Sequence, residues 1–234
     1  MCGRTALTAS PEDLREIFDL EEVPRLVPHY NVPPSQPLAV VRVVRTGGRK
    51  MELLRWGLVP SWAEDARVGH RLALARVETV ATSPAFREAL RKRRCLVVVD
   101  GFYEWKHDGG EGAARSSKKS QPFFLRRPDG APFALAGIWD RWASKDGEVV
   151  ESCAILTQPA RPPVDAVHDR MPVVLEKDTW DRWLDGRQGD VSALLHATHT
   201  PDLVLYPVSA YVNDPRHDDA RCLERSEPPQ QTLF

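Results

Sequence analysis

Cys95-Leu96-Val97-Val98-Val99-Asp100-Gly101-Phe102-Tyr103-Glu104-Trp105 is the stretch that decides the fold. Its first five residues are wholly apolar, bounded by the basic Arg91-Lys92-Arg93-Arg94 on one side and Asp100-Gly101 on the other. A run that short and that uniformly apolar reads as a central strand. Through Gly101 it leads into an aromatic segment that places a carboxylate, Glu104, at the end of the apolar strand. On the N-terminal side, residues 84–94 read as a helix starting at Pro84 and ending in the basic cluster. Leu38 to Val44 and Met51 to Trp56 flank Thr46-Gly47-Gly48 and read as a hairpin. Ser10-Pro11-Glu12-Asp13 reads as a helix start, with a capping hydroxyl, proline at the first turn and acids at the positive end. Trp56 to Trp62 is too rich in turn residues for a regular element.

On the C-terminal side, residues 107–121 are Gly/Ser/Lys-rich and read as a flexible loop. Strands come next at 122–127, 132–139 and 149–157, with Asp129-Gly130 and Asp146-Gly147 as hairpin turns. Then come a loop from Pro159 to Arg170, a strand from Met171 to Leu175, short helices near 177–185 and 190–197, and a last strand at 203–208. No internal repeat is present. The pattern predicts an α+β fold: a single compact domain over residues 1–222, with a strand-rich, largely antiparallel β core and peripheral helices. From about residue 213 the chain turns polar and proline-bearing, and residues 223–234 read as a flexible tail.

Composition narrows the class. Of 234 residues, 42% are apolar and 28% charged, ordinary for a globular chain with a real core. No apolar run approaches the roughly 18 residues of a membrane span, and the start lacks an apolar signal region, so a cytoplasmic, nucleoid-associated protein with no membrane contact is expected. The four cysteines (Cys2, Cys95, Cys153, Cys222) are scattered without a C-x-x-C pair. That argues against a zinc site and against a disulfide framework, and no metal or cofactor is expected. Net charge is −1, yet residues 1–130 hold 22 Lys+Arg against 16 Asp+Glu, a balance of +6, while residues 131–234 hold 10 against 17. A basic first half can present a phosphate-binding face.

The first residues, Met1-Cys2-Gly3-Arg4, suggest chemistry. If Met1 is removed, the chain starts with a 1,2-aminothiol. An aldehyde meeting it forms an imine with the amine, and the sulfur closes a five-membered thiazolidine. The amine titrates near about 8 and the thiol near about 8.5, so a reactive fraction of each exists at neutral pH.

Four further stretches look over-specified for packing: Tyr30-Asn31-Val32-Pro33-Pro34, Ala75-Arg76-Val77-Glu78-Thr79, Gly101-Phe102-Tyr103-Glu104-Trp105 and Val167-His168-Asp169-Arg170-Met171-Pro172. Singly, each has an ordinary explanation: a strand-end charge, a loop histidine, an Asx-turn. With Met1-Cys2-Gly3-Arg4, and with Trp56-Gly57, Pro60 and Trp62, they resemble the SRAP family of abasic-site processing proteins, over Cys2 to about Asn213. The resemblance implies a compact α+β fold, a single-stranded DNA groove and covalent capture of abasic sites through the N-terminal cysteine. By position it implies Cys2 as nucleophile, with Asn31, Glu104 and His168 as the other active-site residues. Arg4, Trp62 and Arg76 match residues lining the DNA groove. Two positions depart from the family pattern: Leu74 stands where asparagine is usual, and Ala63 where some relatives have a second tryptophan.

The partner implied is single-stranded DNA carrying abasic sites, bound by a monomer. The final Gln230-Gln231-Thr232-Leu233-Phe234 resembles the Gln-x-x-Leu-Phe pattern of peptides that dock on the bacterial replication sliding clamp. Two other readings stay open. An N-terminal-nucleophile amidohydrolase also begins Met-Cys-Gly, and glutamine hydrolysis discriminates it. A non-enzymatic single-strand binder predicts that Cys2→Ala leaves every activity intact.

Overall fold

The computed structural model describes residues 3–44, 47–107, 120–187, 191, 194–195 and 202–226. In chain order the regular elements are β1 (Thr5–Leu7), α1 (Pro11–Phe18), β2 (His29–Val32), β3 (Pro37–Val43), β4 (Arg49–Trp56), β5 (Leu74–Arg76), α2 (Arg87–Lys92) and β6 (Arg94–Val99). They continue with β7 (Gly101–His107), β8 (Ser120–Arg126), β9 (Phe133–Ala143), β10 (Val149–Pro159), β11 (Arg170–Pro172), β12 (Val174–Leu175), α3 (Trp180–Leu184) and β13 (Val204–Pro207). Short 3-10 turns join several of them.

The strands form two sheets. One has the order β13-β8-β7-β1-β2. In the other, β10, β4, β3, β6 and β9 follow one another and β9 pairs back onto β10, closing a barrel. All pairings are antiparallel except those of β10 with β4 and β5. Period-two alternation splits each barrel strand between two cores. Val40, Leu54, Cys95, Val97, Leu135, Cys153 and Ile155, drawn from all five ring strands, pack in one cluster inside the barrel. Their neighbours Val41, Met51, Leu96, Val98, Ala136 and Ala154 pack outside, with Leu14 and Phe18 of α1 and Trp180 and Trp183 of α3. Arg42 closes one end of the barrel: it pairs with Glu52 and Glu151 and lies 4.2 Å over the Trp139 ring.

The deciding stretch does make a strand buried at every position, β6, between β3 and β9. Beyond Val99 the chain departs from expectation. Asp100-Gly101 is a crossing between sheets, and Gly101–His107 is a full strand of the second sheet, so Glu104 lies mid-strand. Gly101 is required there: a Cβ would meet Leu125 O and the Phe124 ring, both at 2.4 Å. The turn at Asp129-Gly130 likewise joins strands of different sheets instead of a hairpin; β8 pairs with β7 and β13. Asp146-Gly147 does close the β9–β10 hairpin.

Other expectations shift at their edges. The helix expected from Pro84 begins at Arg87 without a side-chain cap and stops at Lys92, because Arg94 already pairs in β6. The strand expected over 171–175 is two strands. Val173 donates to Leu156 O on β10 while its carbonyl accepts from Ala136 on β9, so the chain switches neighbours there. Ser10 caps α1 by accepting from Asp13 N–H. The chain stays attached past residue 222: Arg225 bridges Val208, and Ser226 bonds Pro207 O and Val208 O. The 108–119 part of the expected loop, most of the expected 190–197 helix, and residues 227–234 lie outside the described residues. Among the described residues no helix is long and apolar enough to cross a membrane.

Candidate functional site

Glu104 shares its face of β7 with Phe102, which packs into the barrel cluster beside Val164, Val167 and Met171. The carboxyl therefore faces the mouth of the barrel and is fully buried. Burial pushes it up to about 7, and the Asp169 carboxylate adds in the same direction. That brings the Gly-Phe-Tyr-Glu-Trp and His-Asp-Arg-Met-Pro motifs to one place.

His168 comes directly after Val167 at that mouth, and its side chain is 10% exposed. Its Nδ1 accepts from Arg170 N–H at 2.9 Å and lies 2.8 Å from Asp169 Oδ1. One nitrogen cannot serve both at once. When Nδ1 accepts from Arg170 the proton of the neutral ring sits on Nε2; when Nδ1 carries a proton, in the other neutral tautomer or in the imidazolium, it donates to Asp169.

Arg170 forks onto both oxygens of Glu78 and reaches Thr157 O at 2.7 Å, holding the Glu78 carboxyl below its ordinary range. Arg76 is exposed at the end of β5, in register with Thr157 of β10. Thr157 also faces Pro172 of β11, so β10 draws the 75–79 and 168–172 motifs together.

Trp62 is 63% exposed, with Nε1 donating to Pro84 O at 3.3 Å. It walls a groove of about 660 Å³ with Ala63, Asp65, Arg67 and Arg71. The small Ala63 leaves that groove wide. Leu74, the other departure, packs its half-buried side chain against the barrel cluster beside Ile155.

Asn31 and Arg4 stand apart from Glu104. Arg4 shares a face of β1 with Ala6, which packs with Tyr103 and Val212 on the sheet side away from the barrel. Arg4 donates to Asn31 Oδ1 at 2.7 Å, to Val212 O at 2.9 Å and to Asn213 O at 3.3 Å. Asn31 Nδ2 donates to the carbonyls of Val212, Asp214 and His217 at 3.0, 3.1 and 2.8 Å. Both ends of this amide are therefore engaged in clipping residues 212–217 to β2. Cys2 lies outside the described residues; the strand after it, β1, runs between β2 and β7.

The sequence alone assigns no role to Asp169, Arg170 or Glu78, although all three stand inside the motifs. It gives no sign of Asp218, whose carboxylate accepts from Tyr30 N–H and Asn31 N–H and pairs with His29. No local signal marks a residue that acts 188 positions away.

The family model of the SOS response associated peptidases (SRAP) matches residues 1–215. The chain belongs to the SRAP family. It is 34% identical over 231 residues to "Abasic site processing protein YoaM" of Bacillus subtilis, covering 96% of this chain and 98% of that one. It is 26% identical to "Abasic site processing protein HMCES" of Xenopus tropicalis, covering 95% and 78%. Among solved structures, a Bacteroides thetaiotaomicron protein superposes with a TM-score of 0.82 at 22% identity, covering 97% of this chain and 100% of the other. A Bordetella bronchiseptica protein gives 0.73 at 25% identity, covering 89% and 100%. The SRAP motifs and the strand-rich fold thus agree.

Proposed function

We propose that this chain captures abasic sites in single-stranded DNA through Cys2, forming a thiazolidine DNA–protein crosslink that shields the lesion. Its SRAP membership and its likeness to proteins named for abasic-site processing support this reading. What supports it most is the buried Glu104 carboxyl, raised by burial to about 7, within electrostatic reach of Asp169 and on a strand paired with β1, which follows Cys2. A group titrating near neutrality serves as both acid and base.

An abasic deoxyribose is mostly a closed ring. His168, as the imidazolium, gives its Nε2 proton to the ring oxygen and takes back the proton that the anomeric hydroxyl releases, so the ring opens to the aldehyde with no net proton change. The Cys2 amine then adds to the aldehyde carbon. Glu104 takes a proton from the nitrogen and returns it to the departing hydroxyl, so water leaves and the imine remains. The Cys2 sulfur adds to the imine carbon as the thiol proton passes to nitrogen. The net change is aldehyde plus aminothiol to thiazolidine plus water. Met1 must be removed first, by the chain itself or by an aminopeptidase; the family's peptidase label fits self-removal through the same Cys2.

Arg76 supplies an exposed cation for a flanking phosphate, and Trp62 a ring face for a neighbouring base, worth about 1–3 kcal/mol. Arg4 and Asn31 take part by bracing the start of β1, since their polar groups are engaged with residues 212–217. The domain acts as a monomer, and the Gln230–Phe234 tail docks it on the sliding clamp, raising its local concentration near stalled synthesis.

The test is incubation with single-stranded DNA bearing one abasic site, followed by a denaturing gel. The wild-type chain yields a denaturant-stable adduct; Cys2→Ala, and a chain that keeps Met1, do not. An adduct of equal yield with Cys2→Ala overturns the assignment.

A further inference from the structure

The loop carrying Trp62 is held from beneath by three side chains on two paired strands. Ser152 of β10 and Asp140 of β9 are direct cross-strand partners, and Trp142 lies two residues beyond Asp140 on the same face. Ser152 Oγ accepts from Val59 N–H at 2.8 Å, Asp140 Oδ2 accepts from Ser61 N–H at 3.1 Å, and Trp142 Nε1 donates to Ala63 O at 2.6 Å. Alternate residues 59, 61 and 63 are thus tied down. The residue between the last two, Trp62, is turned outward. The middle anchor differs from the other two because it is charged: Asp140 is 5% exposed and also pairs with Arg93 at 3.2 Å, just past α2. Trp62 meets the segment before α2 from above, through Pro84 O. Asp140 therefore joins the loop and the α2 segment below the ring, while Trp62 joins them at the surface.

We propose that Asp140 is a positioning residue that sets the Trp62 ring as a base-stacking platform. This rests on the nucleic-acid role proposed for Trp62. Without the Asp140 carboxylate, Ser61 N–H loses its acceptor and Arg93 its partner. The ring then samples orientations that do not present its face to a base.

The experiment compares Asp140→Ala, Asp140→Asn and Trp62→Ala, singly and as Asp140→Ala/Trp62→Ala, in binding to undamaged single-stranded oligothymidine. Trp62→Ala weakens binding about 5- to 160-fold, the range one stacked base represents. Asp140→Ala takes most of that loss, and Asp140→Asn, which keeps an acceptor for Ser61, takes less than half of it. On the Trp62→Ala background, Asp140→Ala changes affinity less than about twofold, because coupled residues are not additive. A second readout needs no DNA. Fluorine NMR of the 5-fluorotryptophan protein, with the Trp62 signal assigned by its loss in Trp62→Phe, shows that signal shifted or broadened in Asp140→Ala and restored in Asp140→Asn. A binding loss by Asp140→Ala that persists undiminished without Trp62, or an unmoved Trp62 signal, overturns the proposal. If Trp62→Ala binds like wild type, the stacking role itself fails, and the fluorine signal still decides whether Asp140 holds the ring.

Discussion

Glu104→Gln should make this protein more stable and less active, with a pH dependence that isolates the cause. The Glu104 carboxyl is fully buried and raised by burial from 4.5 to about 7. Proton counting gives the sign. Between those values the folded chain holds the proton and the unfolded chain has released it, so stability falls as pH rises. Glu104's contribution is therefore intact below about pH 4.5 and lost progressively up to about pH 7. At 1.36 kcal/mol per pH unit, the loss is about 3 kcal/mol. Glutamine has nearly the same shape and no charge to bury, so Glu104→Gln avoids that loss. Urea unfolding of both proteins at pH 4.5, 6, 7 and 8 reads the difference. The stability of Glu104→Gln relative to wild type should climb by about 3 kcal/mol across the series, with equal denaturant slopes. Over the same range its rate of abasic-site adduct formation should fall well below wild type, because the amide cannot carry a proton. A stability difference that stays flat from pH 4.5 to 8 would refute the burial argument, whatever the mutant does to the rate.

Asn31→Ala removes one acceptor for Arg4 and three bonds to carbonyls of residues 212–217, so thermal or urea unfolding should show a loss of about 2–4 kcal/mol, with adduct formation falling in parallel. A stable Asn31→Ala protein with a slowed adduct rate instead gives Asn31 a direct part in the chemistry. Arg76→Ala should weaken binding to undamaged single strands and lower the salt slope by about one phosphate's worth, about 0.7 in log–log units, read by titration at several salt concentrations. A labelled peptide of residues 224–234 should bind purified sliding clamp tighter than about millimolar, and Leu233→Ala/Phe234→Ala should abolish it; equal binding by both peptides ends the docking reading.

The sequence reported well what short-range chemistry decides. Ser10 caps α1, Asp146-Gly147 closes β9–β10, and the apolar run at 95–99 is a fully buried strand. It reported poorly what sheet membership decides. Asp129-Gly130 has hairpin composition, but its strands belong to different sheets, because β8 is already taken on both edges. The barrel closure rests on β9–β10 meeting β4 by parallel pairing, which no local period encodes. The same holds at the site. Glu104 and His168 were legible as motif residues, and the barrel mouth brings their segments together. Asn31 was equally legible, yet its amide faces a segment more than 180 residues away, whose carbonyls carry no side-chain signature. Asp169 carries no signal in the sequence, since an aspartate after a loop histidine looks like surface charge, and its side chain is 80% exposed; its influence on Glu104 appears only once β7 and the 164–169 loop share a cluster.

The chemistry proposed for Cys2 puts its nucleophile beside a chain terminus, and termini fray unless tied down. This fold meets the difficulty with the strand next to the first residues. β1 is only three residues long, too short to hold an end by itself, yet it is an interior strand, paired with β2 on one side and β7 on the other. Its exit is pinned by Asp100, whose Oδ2 accepts from Thr8 Oγ1 at 2.7 Å and from Thr8 N–H. Its entry is pinned by Arg4, whose guanidinium spans Asn31 and the carbonyls of residues 212 and 213, with the Trp105 ring beside it. Trp105 in turn donates to Asn213 Oδ1 at 2.7 Å. The segment near the end of the described chain thus fastens the segment near its beginning. The far side of the sheet carries these fasteners, and the barrel side carries Glu104. Substitutions on the far side should therefore act through order at the start of β1, and those on the barrel side through proton transfer. Hydrogen exchange at Arg4–Ala6 separates the two: Asn31→Ala should raise it, and Glu104→Gln should leave it unchanged.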